Sequence, residues 1–201
     1  MRRASRSRSA EAGAGEDERG NKALQVHEWL VLSIGGESSV VDIYSYLSQH
    51  LIGYERHDHP PVFTCEQAEQ LVPPMEAART KNLFVRDRKG LRHFLVVVGY
   101  EKSVDLKKLA PLLGADKLAL GTPERMVQLL GVEPGSVTIL GLAHDEEGKV
   151  EVIFDEPIAA AASLRCHPLV NTATLAISGE GIRRFLQATG HSLRVLNVPG
   201  R

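Results

Sequence analysis

The chain has 201 residues, 43% apolar and 24% charged, which bounds it to one globular domain with a proper core, with or without appendages. Its formal net charge of −1 excludes the broad basic surface that grips duplex nucleic acid, while leaving room for a local contact with one nucleic-acid end. No apolar run approaches the roughly 20 residues that span a bilayer, and Cys65 and Cys166, far apart and outside any CxxC pattern, point to a reducing compartment, the cytoplasm.

Residues 1–21, rich in Arg, Ser, Ala, Gly and acid, carry no periodicity and read as a disordered tail. Glu11, Glu16, Asp17 and Glu18 arrive too early for an organelle transit peptide, and the apolar core of a secretory signal is missing. Residues 22–40 read as an N-terminal extension, apolar enough in ALQVHEWLVLSI to pack against something. Ser39 with Asp42 predicts a capped helix start, and Val40, Ile43, Tyr44, Leu47 and Leu51 fall on one face. YERHDHPP predicts a short strand stopped by Pro60 and Pro61. Thr64 with Gln67 forms a second capping box and opens a short helix.

TKNLFVRD and LRHFLVVVGY predict two strands joined by a turn at Asp87 to Gly90. DLKKLAPLLG predicts a helix capped by Asp105, stopped by Gly114 and kinked or cut short at Pro111. KLAL reads as a strand. GTPERMVQLLG is the clearest helix: Thr122 caps, Pro123 takes the first position and Gly131 ends it. SVTILGLAHDEEGKVEVIFDE predicts a hairpin turning near Asp145 to Gly148. TATLAIS is a strand, Ser178 caps a helix through Thr189, and SLRVLNV is the last strand. Strands and helices mix without a regular βαβ repeat, which predicts a single α+β domain with a mixed, mostly antiparallel sheet flanked by helices.

No GxSxG occurs, and no Cys–His nucleophile pair can be argued from spacing. Cys166 precedes His167, and the plainer reading is a small half-buried residue beside a loop. His57 and His59 can face one side of a strand as metal ligands, but no third ligand follows at plausible spacing, so neither metal nor cofactor is expected. By residue type alone, Lys81 is a solvated strand-end cation, Gly135 in EPGS a turn glycine, and His167, held extended by Pro168, a loop histidine.

Four stretches in register change that reading: HDHPPVFTCEQAEQL, TKNLFVRDRKG, GVEPGSVTILGL and HPLVNTATLAISGEGIRRFLQATGH. Together they resemble the prolyl-tRNA editing family, the ProX branch of the YbaK-type aminoacyl-tRNA deacylases, across most of residues 41–201. The resemblance implies a barrel-like editing domain over 41–201, free-standing because no synthetase core is present. It implies hydrolysis of the ester between a wrong amino acid and the terminal adenosine of tRNA, most often alanine on proline tRNA. The attack uses water, aided by the neighbouring hydroxyl of the substrate. The partners it implies are the acceptor end of mischarged tRNA and prolyl-tRNA synthetase, with no membrane. A deacylase for cysteine or serine, and a non-catalytic tRNA- or synthetase-binding module, stand as the alternatives.

Three catalytic positions carry over: Lys81 before the NLF strand, Gly135 as first glycine of the GxxxP loop, and His167 of the HPLxN motif. Asn82, Ser136 and Asn171 are the accompanying substrate-binding candidates, although Asn171 is as well suited to pinning its loop through side-chain-to-backbone bonds. Ile139 stands where the family loop has proline, leaving the loop either looser or drawn into the strand. Ester hydrolysis develops negative charge on the carbonyl oxygen, and a fixed amide aimed at it is worth roughly 3 kcal/mol. A residue without a side chain lets its N–H come close. Lys81 suits positioning and charge stabilisation, and His167 can order the attacking water. A proline-specific synthetase cannot strongly reject the smaller alanine, because lost methylene contacts are worth only roughly 1–3 kcal/mol each. A tighter second pocket accepts alanine and excludes the proline ring. Arg86, Arg88, Lys89 and Arg92 around the first hairpin are candidates for reading the acceptor end, or simply a solvated face.

Overall fold

The computed structural model describes residues 41–62, 67 and 70–201, and residues Val41–Arg201 form one compact unit. The expected tail, the extension and the capping residues Ser39 and Thr64 lie outside the described residues.

Helix α1 (Ile43–Gln49) is capped by Asp42 itself, whose carboxylate accepts from the N–H groups of Tyr44 and Ser45 at 3.1 and 3.4 Å. Ile43 and Leu47 are buried as predicted, but Leu51 is 79% exposed at φ +55°. The helix has ended by then, and the N–H of Ile52, bonded to the Leu47 carbonyl, brings Ile52 inward in its place.

Strands β1 (Tyr54–Asp58), β2 (Thr80–Asp87) and β3 (His93–Gly99) follow, then helix α2 (Leu106–Leu112), strand β4 (Leu118–Leu120) and helix α3 (Pro123–Leu130). Pro111 sits in the last turn of α2, and the predicted caps Asp105, Thr122 and Gly131 are found. The chain then departs from expectation. Ile139–His144 is a 3-10 segment, not a strand, capped by Thr138, whose hydroxyl accepts from Leu140 N–H at 3.3 Å. Only the second half of the expected hairpin is extended, as β5 (Val150–Asp155), and it pairs in parallel with β3. Alternating apolar residues suit a strand, but here successive residues Ile139, Leu140 and Leu142 are all buried in one cluster, which a tight helix permits and one strand face does not. Ile139 therefore does not extend a strand. It anchors the loop's far end in the core.

Helix α4 (Glu156–Ala159), strand β6 (Ser163–Cys166), strand β7 (Ala173–Ser178), helix α5 (Gly179–Ala188) and strand β8 (Leu193–Leu196) complete the chain. The strands form two sheets, ordered β1-β7-β6 and β4-β2-β3-β5-β8, mixed and mostly antiparallel, with no closed barrel among the described residues. A parallel bridge between Ala78 and Leu164 links them.

The apolar run of β3 is continuous because the five-stranded sheet is covered on both faces. Leu95 and Val97 join one core cluster with Phe84, Val152 and Phe154, and Phe94, Val96 and Val98 join the other with Val85 and Ile153. The first cluster takes in α1, α3, α5 and the inner residues of β6 and β7; the second lies under α2. Each fully buried Phe or Leu contributes roughly 1.5–3 kcal/mol, so this double-sided core fixes the ends of β2 and β6. Two side-chain contacts tie it further: a buried hydrogen bond between Asp145 and His191 at 3.0 Å, and the Lys102 ammonium on the buried Asp155 carboxylate at 2.8 Å. No helix among the described residues is long and apolar enough to cross a membrane.

Candidate active site

Where the two sheets meet, at the Ala78–Leu164 bridge, lies a cavity of about 240 Å³. It collects the first residues of β2 (Thr80, Lys81, Asn82), the end of β6 with the residue beyond it (Arg165, Cys166, His167), and Gly135 and Val137 from the loop after α3. Lys81, Gly135 and His167 thus share one hollow, as their expected roles require. Asn82 lines it too. Ser136 and Asn171 are not among the described lining residues. The Ser136 N–H closes a turn onto the Glu133 carbonyl at 3.0 Å. Asn171 donates from its side chain to the Val62 carbonyl at 3.3 Å and accepts the Val62 N–H on its own carbonyl at 3.1 Å. Its place is that of a loop pin.

Gly135 has φ +93°, a conformation that side-chain-bearing residues rarely adopt, and a Cβ built there would meet nothing within 4 Å. The glycine is therefore required by the backbone, and the space before it is open to a ligand. His167 sits half-buried, and its Nδ1 donates to the Ala173 carbonyl at 3.3 Å, leaving Nε2 as the acceptor. Burial lowers its pKa below 6.5, against the opposing pull of the Ala173 bond and with help from His59 nearby, so the ring is neutral at neutral pH. The loop it begins holds Leu169 at φ +65°, a strained position for leucine. Asn82 Oδ1 is shielded from solvent and has no hydrogen-bond partner among the described residues. A buried acceptor of this kind favours a donor from a ligand.

Of the remaining sequence candidates, Cys166 also lines the hollow. Burial pushes the Cys166 thiol up to about 12, so it is an apolar wall and not a thiolate. It stands beside a loop as expected, at the end of β6, but fully buried and not half-buried. His59 uses both ring nitrogens, on the Pro60 carbonyl at 2.8 Å and Thr174 Oγ1 at 2.9 Å, and His57 bonds Glu55 at 2.6 Å. Arg92 makes a two-pronged bond to Glu151 at 2.7 and 2.8 Å and another to the Leu113 carbonyl, which makes it a structural clamp. Neither it nor Arg86, Arg88 or Lys89 lines the cavity.

Sequence reasoning missed Arg79, Tyr100 and Arg165, which also line it. The alternation of a strand carried the signal: Arg79 stands two residues before Lys81, and Arg165 two before His167.

The chain matches the aminoacyl-tRNA editing domain family over residues 59–185. It is 31% identical over 156 residues to prolyl-tRNA editing protein ProX of Acetoanaerobium sticklandii, covering 78% of this chain and 95% of that one. It is 35% identical over 142 residues to prolyl-tRNA synthetase associated domain-containing protein 1 of Danio rerio, covering 70% and 77%. A solved structure assigned as a candidate trans-editing enzyme for prolyl tRNA synthetase superposes with a TM-score of 0.57 at 21% identity, covering 79% of this chain and 96% of that one, a likeness of fold.

Proposed function

Because the chain belongs to the aminoacyl-tRNA editing domain family, we propose that it deacylates mischarged tRNA, with alanine on proline tRNA as its principal substrate. The observation that carries this reading is the convergence of Lys81, Gly135 and His167 on one small hollow. At about 240 Å³ it falls below the roughly 300–1,000 Å³ of typical ligand clefts, which suits a small acyl group on its ribose. Val62, Val137 and Cys166 give that group an apolar wall.

In this reading the Lys81 ammonium holds the phosphate of the terminal adenosine and Asn82 Oδ1 accepts from a ribose hydroxyl. The Gly135 N–H donates to the ester carbonyl oxygen as it gains charge. Nε2 of neutral His167 accepts from a water whose oxygen bonds to the carbonyl carbon. The bond from that carbon to the ribose oxygen breaks, and the ribose oxygen takes up a proton. The substrate's adjacent hydroxyl stands where it can assist.

Single-turnover deacylation of a panel of mischarged tRNAs tests the proposal. Fastest decay of alanine on proline tRNA, abolished in a folded Lys81→Ala variant, is the expected result. Preference for cysteine or serine would move the substrate within the same reaction. RNA binding with decay no faster than in buffer would replace the hydrolase with a binding module.

A further inference from the structure

We propose that Arg79 and Arg165 form a second nucleotide subsite, which takes the penultimate nucleotide of the RNA 3′ end through the phosphate on its 5′ side. This rests on the reading above, in which such an end delivers the acyl group.

A second hollow of about 580 Å³ adjoins the first, lined by residues 70–74 together with Arg79 and Arg165. Val72, Arg79 and Arg165 line both hollows, so the two arginines stand on the boundary between them. The fold brings them together. The parallel bridge between Ala78 and Leu164 places the following residue of each strand side by side. Burial, and then the charge of Arg79, lowers the Arg165 pKa from its ordinary value, in keeping with two near cations.

Both guanidinium groups are held in place. Arg79 lies over the Tyr100 ring, 3.9 Å from its centroid, and its carbonyl accepts the Tyr100 N–H at 3.1 Å. Arg165 donates from Nε to the Ala77 carbonyl at 3.1 Å and from Nη2 to the Met75 carbonyl at 2.9 Å. A pre-set planar fork loses little freedom on meeting a phosphate. The described lining residues of the two hollows include Arg79, Lys81 and Arg165. Cations beside an aromatic ring suit an unpaired strand over a duplex.

The test compares 3′-O-alanyl adenosine 5′-monophosphate, which reaches only the first hollow, with alanylated CpCpA. Arg165 ties down backbone carbonyls, so Arg79 is the residue to change. Arg79→Gln should raise KM for alanyl-CpCpA about tenfold with kcat nearly kept, a loss several times larger than on the mononucleotide. The slope of log KM against log salt should fall by about 0.7, and Arg79→Lys should recover most of both effects. Equal losses on the two substrates, or an unmoved KM and salt slope, would overturn the proposal. If the wild-type chain hydrolyses neither substrate, the deacylase reading fails by itself. Binding of uncharged CpCpA then decides the subsite: about tenfold weaker binding by Arg79→Gln supports it, and equal affinity overturns it.

Discussion

The Nδ1 atom of His167 lies 3.3 Å from the carbonyl oxygen of Ala173, a bond that spans the loop between β6 and β7. It fixes the tautomer: the carbonyl only accepts, so Nδ1 carries the proton and Nε2 the lone pair. Burial lowers the pKa of the ring below its ordinary 6.5. The acid limb of deacylation should therefore have its midpoint below pH 6.5, on the acid side of an ordinary imidazole. His167→Gln should remove that acid limb and slow turnover by about 10²-fold or more. A single-turnover rate profile across pH reads both.

The same sign appears in stability. Burial lowers the pKa values of His93, His144 and His167 below 6.5. Their unfolded forms bind protons more readily, so the stability these groups contribute is fully present above pH 6.5. It is lost as the pH falls from there toward the folded-state values. Urea unfolding at pH 7.5 and 5.5 should show a lower midpoint at the acid value, with the m-value unchanged.

Asp145 and His191 are almost fully buried, at 2% and 1% side-chain exposure, and Asp145 also accepts the N–H groups of Lys149 and Val150 at 3.0 and 2.7 Å. Burial works against the Asp145 charge, but the bonds from His191 and the two N–H groups outweigh it and lower the pKa. His191→Ala leaves that carboxylate buried without its imidazole and should cost about 3–5 kcal/mol. Denaturant melts check this, and a cost under about 1 kcal/mol would show the two backbone donors to be sufficient.

Gly135→Ala separates strain from chemistry. A Cβ meets nothing in the folded chain, so the stability cost should be limited to the φ of +93°, about 1–3 kcal/mol. The new methyl group adds bulk at a residue that lines the cavity proposed to hold the acyl ester. Deacylation should fall about 10²-fold or more while the protein stays folded, read from rate and melt on one preparation.

Much of this was legible in the sequence because it rests on local chemistry. Asp105, Thr122, Gly131 and Ser178 act where their types say they should, as caps and stops. The β2–β3 hairpin follows from two apolar runs around Asp87 to Gly90. Ile139–His144 was not legible as a 3-10 segment, since packing against α3 and the sheets, not local preference, decides it. Strand β6 escaped notice: Ser163–Cys166 has only Leu164 and Cys166 as apolar residues, set between Ser163 and Arg165. The cavity was legible only through motif resemblance: Lys81, Gly135 and His167 are 54 and 32 positions apart (135 − 81 and 167 − 135), and no periodicity joins them. The Asp145–His191 pair depends on a contact between segments far apart in the chain, which spacing does not reveal.

The central claim is that Lys81, Gly135 and His167 surround a bound aminoacyl adenosine. Titrating isotope-labelled protein with a non-hydrolysable 3′-alanylamino analogue of adenosine 5′-monophosphate measures it directly. The account predicts large shifts at the Gly135 amide, the His167 ring and the Asn82 side-chain amide, all saturating with one affinity. Saturable binding that moves resonances elsewhere and leaves those three groups still would contradict it.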